Sequence, residues 1–138
     1  QMPALLKRVD FISVGSNDLF QFLYASDRGS PKISERFDTL SPAGLSFLKS
    51  IVEQCDASKT PISLCGEMAG RPLEAMALIG IGFRKLSMAP SSIGPVKEMI
   101  RSLSINKLKK FLDNRQDITE NSLREKLRDF ASNHNVKI

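Results

Sequence analysis

The 138 residues are 41% hydrophobic and 25% charged, with a formal net charge of +5 at pH 7. That is the size and composition of one soluble globular domain. No run approaches the ~20 consecutive apolar residues of a membrane span, and the start, Gln1-Met2-Pro3-Ala4, lacks the basic and apolar regions of a secretory leader. The basic excess sits mainly in the last third, at residues such as Lys107, Lys109, Lys110, Arg124, Arg128 and Lys137. Acidic residues are interleaved with these, and one Tyr and no Trp are available for base stacking. The basic segment therefore reads as the solvated face of amphipathic helices, with no nucleic-acid partner. The two cysteines, Cys55 and Cys65, form neither a disulfide framework nor a familiar metal spacing, and fit a reducing, cytoplasmic setting.

Residues 9–14 form a β-rich run closed by Gly15. A helix is predicted from about Asn17, carrying Leu19, Phe22 and Leu23, and a loop through Gly29, Ser30 and Pro31 runs on to Thr39. Ser41-Pro42 is an N-cap followed by proline at the first helical position. Leu45, Leu48, Ile51, Val52 and Cys55 then recur at helical spacing, which makes Cys55 a small core residue. Pro61 ends that helix region, and residues 62–65 are a short strand. Gly66 and Gly70 bracket a turn. Pro72 opens a helix whose Leu73, Met76, Ala77 and Gly80 share a face, and Gly82 ends it.

Residues 84–88 are the next strand. Ser91 or Ser92 is predicted to cap a helix with Val96, Met99, Ile100 and Leu103 on one side. A further helix carries Leu108, Phe111 and Leu112. The last is announced by Thr119, with Leu123, Leu127, Phe130 and Ala131 facing inward. Three strands alternating with helices predict an α/β fold with parallel pairing. An eight-stranded barrel takes about 250 residues, so the pattern fits either a small open sheet or part of a larger barrel.

Each strand is followed at once by a polar, glycine- or proline-marked cluster: Gly15-Ser16-Asn17-Asp18, Cys65-Gly66-Glu67, and Met88-Ala89-Pro90-Ser91-Ser92. In parallel α/β folds these are the strands' carboxyl ends, where ligands bind. Backbone N–H groups in the first cluster are placed to hold a phosphate. Asp18 is a hard oxygen ligand suited to Mg²⁺ and Asn17 a donor to phosphate oxygen, although spacing alone favours reading one or other as a helix N-cap. Cys65 reads either as an inert strand thiol or as an acid, since an ordinary thiol is mostly protonated at neutral pH. Glu67 follows it by two residues. Arg28, in Asp27-Arg28-Gly29, is a bidentate donor for carboxylate or phosphate, or a surface arginine paired with Asp27. His134, the single histidine, lies among asparagines with nothing nearby to orient it, and is read as exposed and non-catalytic.

Taken in order, four strings resemble a known family. Asp10-Phe11-Ile12-Ser13-Val14-Gly15-Ser16-Asn17-Asp18-Leu19, then Asp27-Arg28-Gly29, Leu64-Cys65-Gly66-Glu67-Met68-Ala69-Gly70 and Leu86-Ser87-Met88-Ala89-Pro90-Ser91-Ser92-Ile93 resemble the phosphoenolpyruvate-binding domain of the enzyme I type of phosphoenolpyruvate-protein phosphotransferase. Met68-Ala69 after the glutamate favours enzyme I over pyruvate phosphate dikinase and phosphoenolpyruvate synthase. Phe20-Gln21-Phe22-Leu23 and residues 71–77 look like the nitrogen-regulatory paralogue.

The resemblance implies a (β/α)8 TIM barrel, of which residues 1–103 supply about the last three βα units, with residues 104–138 as a C-terminal helical tail. It implies transfer of phosphate from phosphoenolpyruvate to a histidine on a separate N-terminal domain and then to a histidine phosphocarrier protein, releasing pyruvate, in a full-length homodimer. By the family pattern Asp18 ligates Mg²⁺, Asn17, Asp18 and Arg28 hold the substrate side, Cys65 protonates the enolate carbon, and Glu67 supports Cys65. The family's acceptor histidine, upstream arginines and second metal carboxylate have no counterpart in these strings, so the chain is read as a fragment, inactive alone. The alternative is a non-catalytic regulatory or interaction module that keeps the fold.

Overall fold

The computed structural model describes residues 1–26, 37–114 and 121–138. Arg28 with Asp27 and Gly29, the loop residues Ser30 and Pro31, and Arg115 and Thr119 lie outside the described residues. In chain order the elements are α1 (Met2–Leu5), β1 (Ile12–Gly15), α2 (Ser16–Leu23), α3 (Pro42–Ser58), β2 (Ile62–Cys65), α4 (Glu67–Gly70), α5 (Pro72–Ile81), β3 (Leu86–Ser87), α6 (Pro90–Ser102), α7 (Ile105–Asp113) and α8 (Arg124–Asn133). No helix among the described residues is long and apolar enough to cross a membrane.

The three strands form one parallel sheet in the order β1-β2-β3. Register sets the two faces. Val14, Leu64 and Leu86 stand side by side, as do Gly15, Cys65 and Ser87 in the next row. Side chains alternate across a strand, so the first row enters the helix layer, where Val14 and Leu64 are buried in the core. The opposite face carries only small residues: Ser13 and Ser63, then Gly15, Cys65 and Ser87. Parallel sheets are normally covered on both faces. Here Ser13, Gly15 and Ser87 are exposed among the described residues.

Strand ends differ from the sequence expectation for local reasons. β1 begins at Ile12 rather than residue 9, because Ile12 N–H donates to Pro61 O at the start of the ladder and the preceding Thr60 N–H is taken by Cys55 O, closing α3. β3 is an edge strand paired only at Leu86 and Ser87, so the predicted run 84–88 shortens to two residues.

The helix starts follow proline. Pro42, Pro72 and Pro90 open α3, α5 and α6, and their fixed φ suits the first helical position. Ser41 caps α3 as predicted, its Oγ accepting from Gly44 N–H at 3.1 Å. Ser91 and Ser92 do not cap α6. The N-cap is Ala89, and both serines lie inside the helix. Two apolar faces also turn out differently: Phe22 is 81% exposed while Phe20 is the buried aromatic of α2, and Ile100 is exposed while Leu103 sits beyond the end of α6.

α5 is the hub. Every residue from Leu73 to Gly80 is buried, as expected for a helix enclosed on all sides. α3, α6, α7 and α8 all pack on it. Leu108 of α7 and Leu127 of α8 are fully buried, each removal of such a side chain from water contributing about 1.5–3 kcal/mol. Gly80 lets α7 approach: a Cβ there would lie 2.5 Å from Leu112 Cδ1 and 2.9 Å from Leu108 Cδ2. Lys107 and Lys109 flank Leu108 and are exposed, and Lys137 and Arg128 pair with Glu98 and Glu125, consistent with solvated helix faces. Arg124 departs from that reading, since its guanidinium is engaged by Asp38 and Glu74.

Candidate active site

The clusters that follow the three strands meet in one cleft of about 590 Å³. Asn17 enters it from α2, Cys65 from the end of β2, Glu67 and Arg71 from α4 and its end, and Ser87 and Ser92 from β3 and α6. Asn17, Cys65 and Glu67 are therefore brought together. Asp18 is the next residue of α2, exposed, and not part of the cleft lining.

The chain turns from β1 directly into α2, with Gly15 as N-cap and no side chain capping the helix. This removes the reading of Asn17 or Asp18 as a cap; they occupy the second and third helical positions. The first-turn N–H groups of α2 have no intrahelical partner and carry the positive end of the helix dipole. Ser16 fixes this corner. It is buried, and its Oγ donates to Cys65 O at 3.0 Å, joining the end of β1 to the end of β2. The sequence offered Ser16 only as a member of its cluster; a serine at a strand-to-helix junction was the available signal.

Gly66 makes the matching turn after β2. Its φ is +113° and ψ 179°, a conformation that side chains rarely adopt, and a Cβ would collide with Ser16 Oγ and lie 3.2 Å from Asn17 Oδ1. Gly70 is likewise close to α6, 2.8 Å from Ser92 Oγ at the Cβ position. The two glycines keep the floor and one wall of the cleft at backbone thickness.

Cys65 is a free, half-buried thiol on the small-residue face. Cys55 is buried in α3, and burial, with Asp56 beside it, pushes its thiol up from the ordinary value, which suits an inert core residue. The Glu67 carboxylate accepts from Arg71 Nη2 at 3.1 Å in an exposed i,i+4 pair. His134 is half-buried rather than exposed: its ring stacks on Phe130 with centroids 4.3 Å apart, and Nδ1 meets Phe130 O at 2.9 Å.

As to metal, among the described residues no group of three His, Cys, Asp or Glu side chains comes together. The carboxylates at hand are Asp18, exposed beside Asn17 but outside the cleft lining, and Glu67 in the lining, which is paired with Arg71. Mg²⁺ is commonly held through one or two carboxylates together with substrate phosphate oxygens, and Asp18 fits that role as one such donor.

A second cavity, of about 510 Å³, adjoins the first and shares Asn17, Glu67 and Arg71 with it. Its wall holds an ion cluster that no local string announced. Arg124 Nε and Nη2 donate to Asp38 Oδ2 and Oδ1 at 2.9 and 2.8 Å, and Nη2 also donates to Glu74 Oε1 at 2.9 Å. Ser122 Oγ and Leu40 N–H donate to the same Asp38 carboxylate. Burial pushes Asp38 up, but the hydrogen bonds from Arg124, Leu40 and Ser122 and the Arg124 charge outweigh it, holding the carboxyl below the usual aspartate value. The hydrogen bond to Asp38, opposed by burial and helped by Glu74, holds Arg124 above its ordinary value.

Residues 1–105 match the family described as PEP-utilising enzyme, PEP-binding domain. Among curated relatives, the chain is 43% identical over 102 residues to "Phosphoenolpyruvate-dependent phosphotransferase system" of Escherichia coli (strain K12), covering 74% of this chain and 14% of the relative. It is 38% identical over 104 residues to "Phosphoenolpyruvate-protein phosphotransferase" of Borreliella burgdorferi, covering 75% and 18%. The protein of that name from Mycoplasma genitalium is 34% identical over 133 residues, covering 96% and 23%. The chain thus spans less than a quarter of the length of these relatives. It belongs to the family of PEP-utilising enzymes, within their PEP-binding domain.

Proposed function

We propose that this chain, as part of a PEP-binding domain, builds one side of the phosphoenolpyruvate site of a phosphoenolpyruvate-protein phosphotransferase. The observation that carries the reading is the convergence of all three strand-end clusters on one cleft around Cys65. The sheet supports a companion proposal: β1, β2 and β3 are three consecutive strands of a (β/α)8 barrel. Among the described residues helices cover one face, and the other carries small residues that end in the Gly15, Cys65, Ser87 row, with Gly15 and Ser87 exposed. Barrel interiors are lined by such rows, and barrel active sites lie at the strands' carboxyl ends.

In this reading the substrate phosphate lies over the open N–H groups of α2 and accepts a hydrogen bond from the Asn17 amide. Arg28 contributes a bidentate contact to phosphate or carboxylate. Asp18 holds Mg²⁺, which when bound supplies charge neutralisation to the phosphoryl group. A histidine on a separate domain donates its nitrogen lone pair to phosphorus. The bond from phosphorus to the enolate oxygen breaks, and its electrons stay on that oxygen. The methylene carbon then takes the proton of Cys65 Sγ, giving pyruvate, and the thiolate is reprotonated from solvent. Glu67, now paired with Arg71, supports that side of the cleft. The same proposal extends to a histidine phosphocarrier protein as recipient, a homodimeric full-length protein in the cytoplasm, and the nitrogen-regulatory branch.

The test is made in the complete polypeptide. With phosphoenolpyruvate and Mg²⁺ it forms pyruvate and a phosphohistidine outside these 138 residues, leaving His134 unmodified by mass spectrometry. Cys65→Ser keeps substrate affinity within about tenfold, or ~1.4 kcal/mol, but forms pyruvate slowly and with poor stereospecificity in deuterated water, because a hydroxyl is a far weaker acid than a thiol. Full rate and full stereospecificity in Cys65→Ser would return Cys65 to the role of a strand residue and make Glu67 the next candidate acid.

A further inference from the structure

The wall of the adjoining cavity is tied to the cleft by a continuous chain of contacts that begins in α8. Arg124 grips Asp38 with two nitrogens. Asp38 O accepts from Ser41 N–H at 2.9 Å. Ser41 Oγ and the Tyr24 hydroxyl share a hydrogen bond at 2.5 Å. Tyr24 immediately follows α2, the helix whose first turn carries Asn17 and Asp18. A ring stack runs alongside: Phe37 lies on Tyr24 with centroids 4.6 Å apart, and Tyr24 on Phe20 at 5.8 Å. Gly44 closes the joint, since a Cβ there would lie 2.7 Å from Phe20 Cε1 and 2.8 Å from the Tyr24 hydroxyl.

Residues 37–41 are therefore held between α2 on one side and α5 with α8 on the other. The α8 side is anchored firmly. Glu74 is 3% exposed, and a buried carboxylate needs its cation. Glu74 and Asp38 share that cation, and Leu123 N–H donates to Leu40 O at 2.9 Å beside it. Arg124 lies outside residues 1–105, which match the family domain, so the anchor comes from beyond that domain.

We propose that Arg124 is a positioning residue: through Asp38, Ser41 and Tyr24 it sets the placement of α2, and hence of Asn17 in the cleft and of Asp18 beside it. The inference rests on the reading of those two residues as substrate-side groups. Removing the C-terminal anchor loosens the substrate end of α2 without touching substrate.

The test uses two mild variants in the complete polypeptide. Asp38→Asn leaves Arg124 paired with Glu74, and Tyr24→Phe removes one hydroxyl while Ser41 keeps its cap on Gly44. Each breaks the same chain at a different link. Each is expected to raise KM for phosphoenolpyruvate about fivefold, in line with coupling through a packed network, with kcat changed less than the KM. The double variant is expected to be no worse than the stronger single one, because residues in one network do not add. In parallel, the side-chain amide signals of Asn17 in 15N-asparagine-labelled protein shift or broaden in both variants. Unchanged KM and unchanged Asn17 signals, or effects that multiply in the double variant, overturn the proposal. If the parent protein makes no use of phosphoenolpyruvate, the functional reading fails by itself, and the Asn17 signals still decide whether the chain of contacts positions α2.

Discussion

The strand-end region and the C-terminal helices are built on opposite terms. At the strand ends, position comes from backbone geometry: Gly15 opens α2, Gly66 turns at φ +113°, and Ser16 ties two strand ends with one hydrogen bond to a carbonyl. The surfaces there are thin, small and open to solvent. In α7 and α8, position comes from side chains: Leu108 and Leu127 fill the core against α5, Phe111 packs on Phe130 with centroids 4.9 Å apart, and Arg124 ties two carboxylates. The first region can accept a ligand because little fills it. The second can hold the first in place because its inward side chains are packed against α5. The only deeply buried carboxylate among the described residues, Glu74, lies where the two meet.

The largest break in this comparison is Arg124→Leu. It leaves Glu74 buried without its cation and Asp38 without its fork. Breaking a buried pair by removing one partner costs about 3–5 kcal/mol; Arg124 is 29% exposed in its side chain, so the lower end, about 3 kcal/mol, is expected. The measurement is denaturant unfolding of Arg124→Leu beside Glu74→Gln/Arg124→Leu. Neutralising Glu74 in the double variant recovers part of the loss. A double variant no more stable than Arg124→Leu would show that the cost lies in packing, not in the stranded charge.

A sharper contrast comes from placing the same methyl group in both regions. Gly66→Ala meets a backbone conformation that costs of order 1–3 kcal/mol for a side chain, and its Cβ strikes Ser16 and approaches Asn17. Stability and cleft geometry fall together, so under the proposed function phosphoenolpyruvate binding by the complete polypeptide is expected to weaken along with unfolding free energy. Gly80→Ala meets Leu112 and Leu108 side-chain ends, which rotate or shift at a cost of about 1–3 kcal/mol, offset by the ~1 kcal/mol helix preference of Ala over Gly. Its net loss is expected to be smaller and, under the proposed function, phosphoenolpyruvate binding by the complete polypeptide unchanged. Equal loss of binding in both variants would erase the distinction between the two regions.

Much of the first region was legible because its signals are local. Prolines 42, 72 and 90 mark helix starts, short β-rich runs mark strands, and each strand-end cluster is a contiguous string, of which Asn17, Cys65 to Glu67, and Met88, Ala89 and Ser92 line the cleft. Arg28 falls outside the described residues. What the sequence withheld is long-range. Arg124 meets Asp38 across 86 residues and Glu74 across 50, and nothing at Arg124 itself distinguishes it from the solvated Arg128 four positions later. Glu74 sits in an otherwise apolar helix, and a charge in such a run was the one available hint of a buried partner. The short β3 and the exposed Phe22 were missed for a related reason: edge pairing and helix rotation are set by neighbours, not by the segment's own pattern.

The mildest way to probe the junction is pH. Asp38 titrates below its ordinary value in the folded chain, so the unfolded chain binds its proton first as pH falls. The stability it contributes is fully present above the unfolded aspartate value, about 3.9, and is lost as pH drops through the lower folded value. Asp38→Asn removes the titration while keeping the shape. The melting-temperature difference between the parent chain and Asp38→Asn is therefore expected to be constant from pH 7 to about 5, then to close as the solution is acidified further, while both proteins lose stability from their other carboxylates. High salt narrows the gap only slightly, because Asp38 and Arg124 are partly buried and screened less than surface pairs. The exposed Lys49–Asp113 pair at 3.1 Å supplies the control: Asp113→Asn is expected to change the melting temperature little at any pH, exposed pairs contributing about 0–1 kcal/mol. A gap that stays constant down to pH 3 would mean that Asp38 is protonated alike in both states and that Arg124 holds residues 37–41 without its charge.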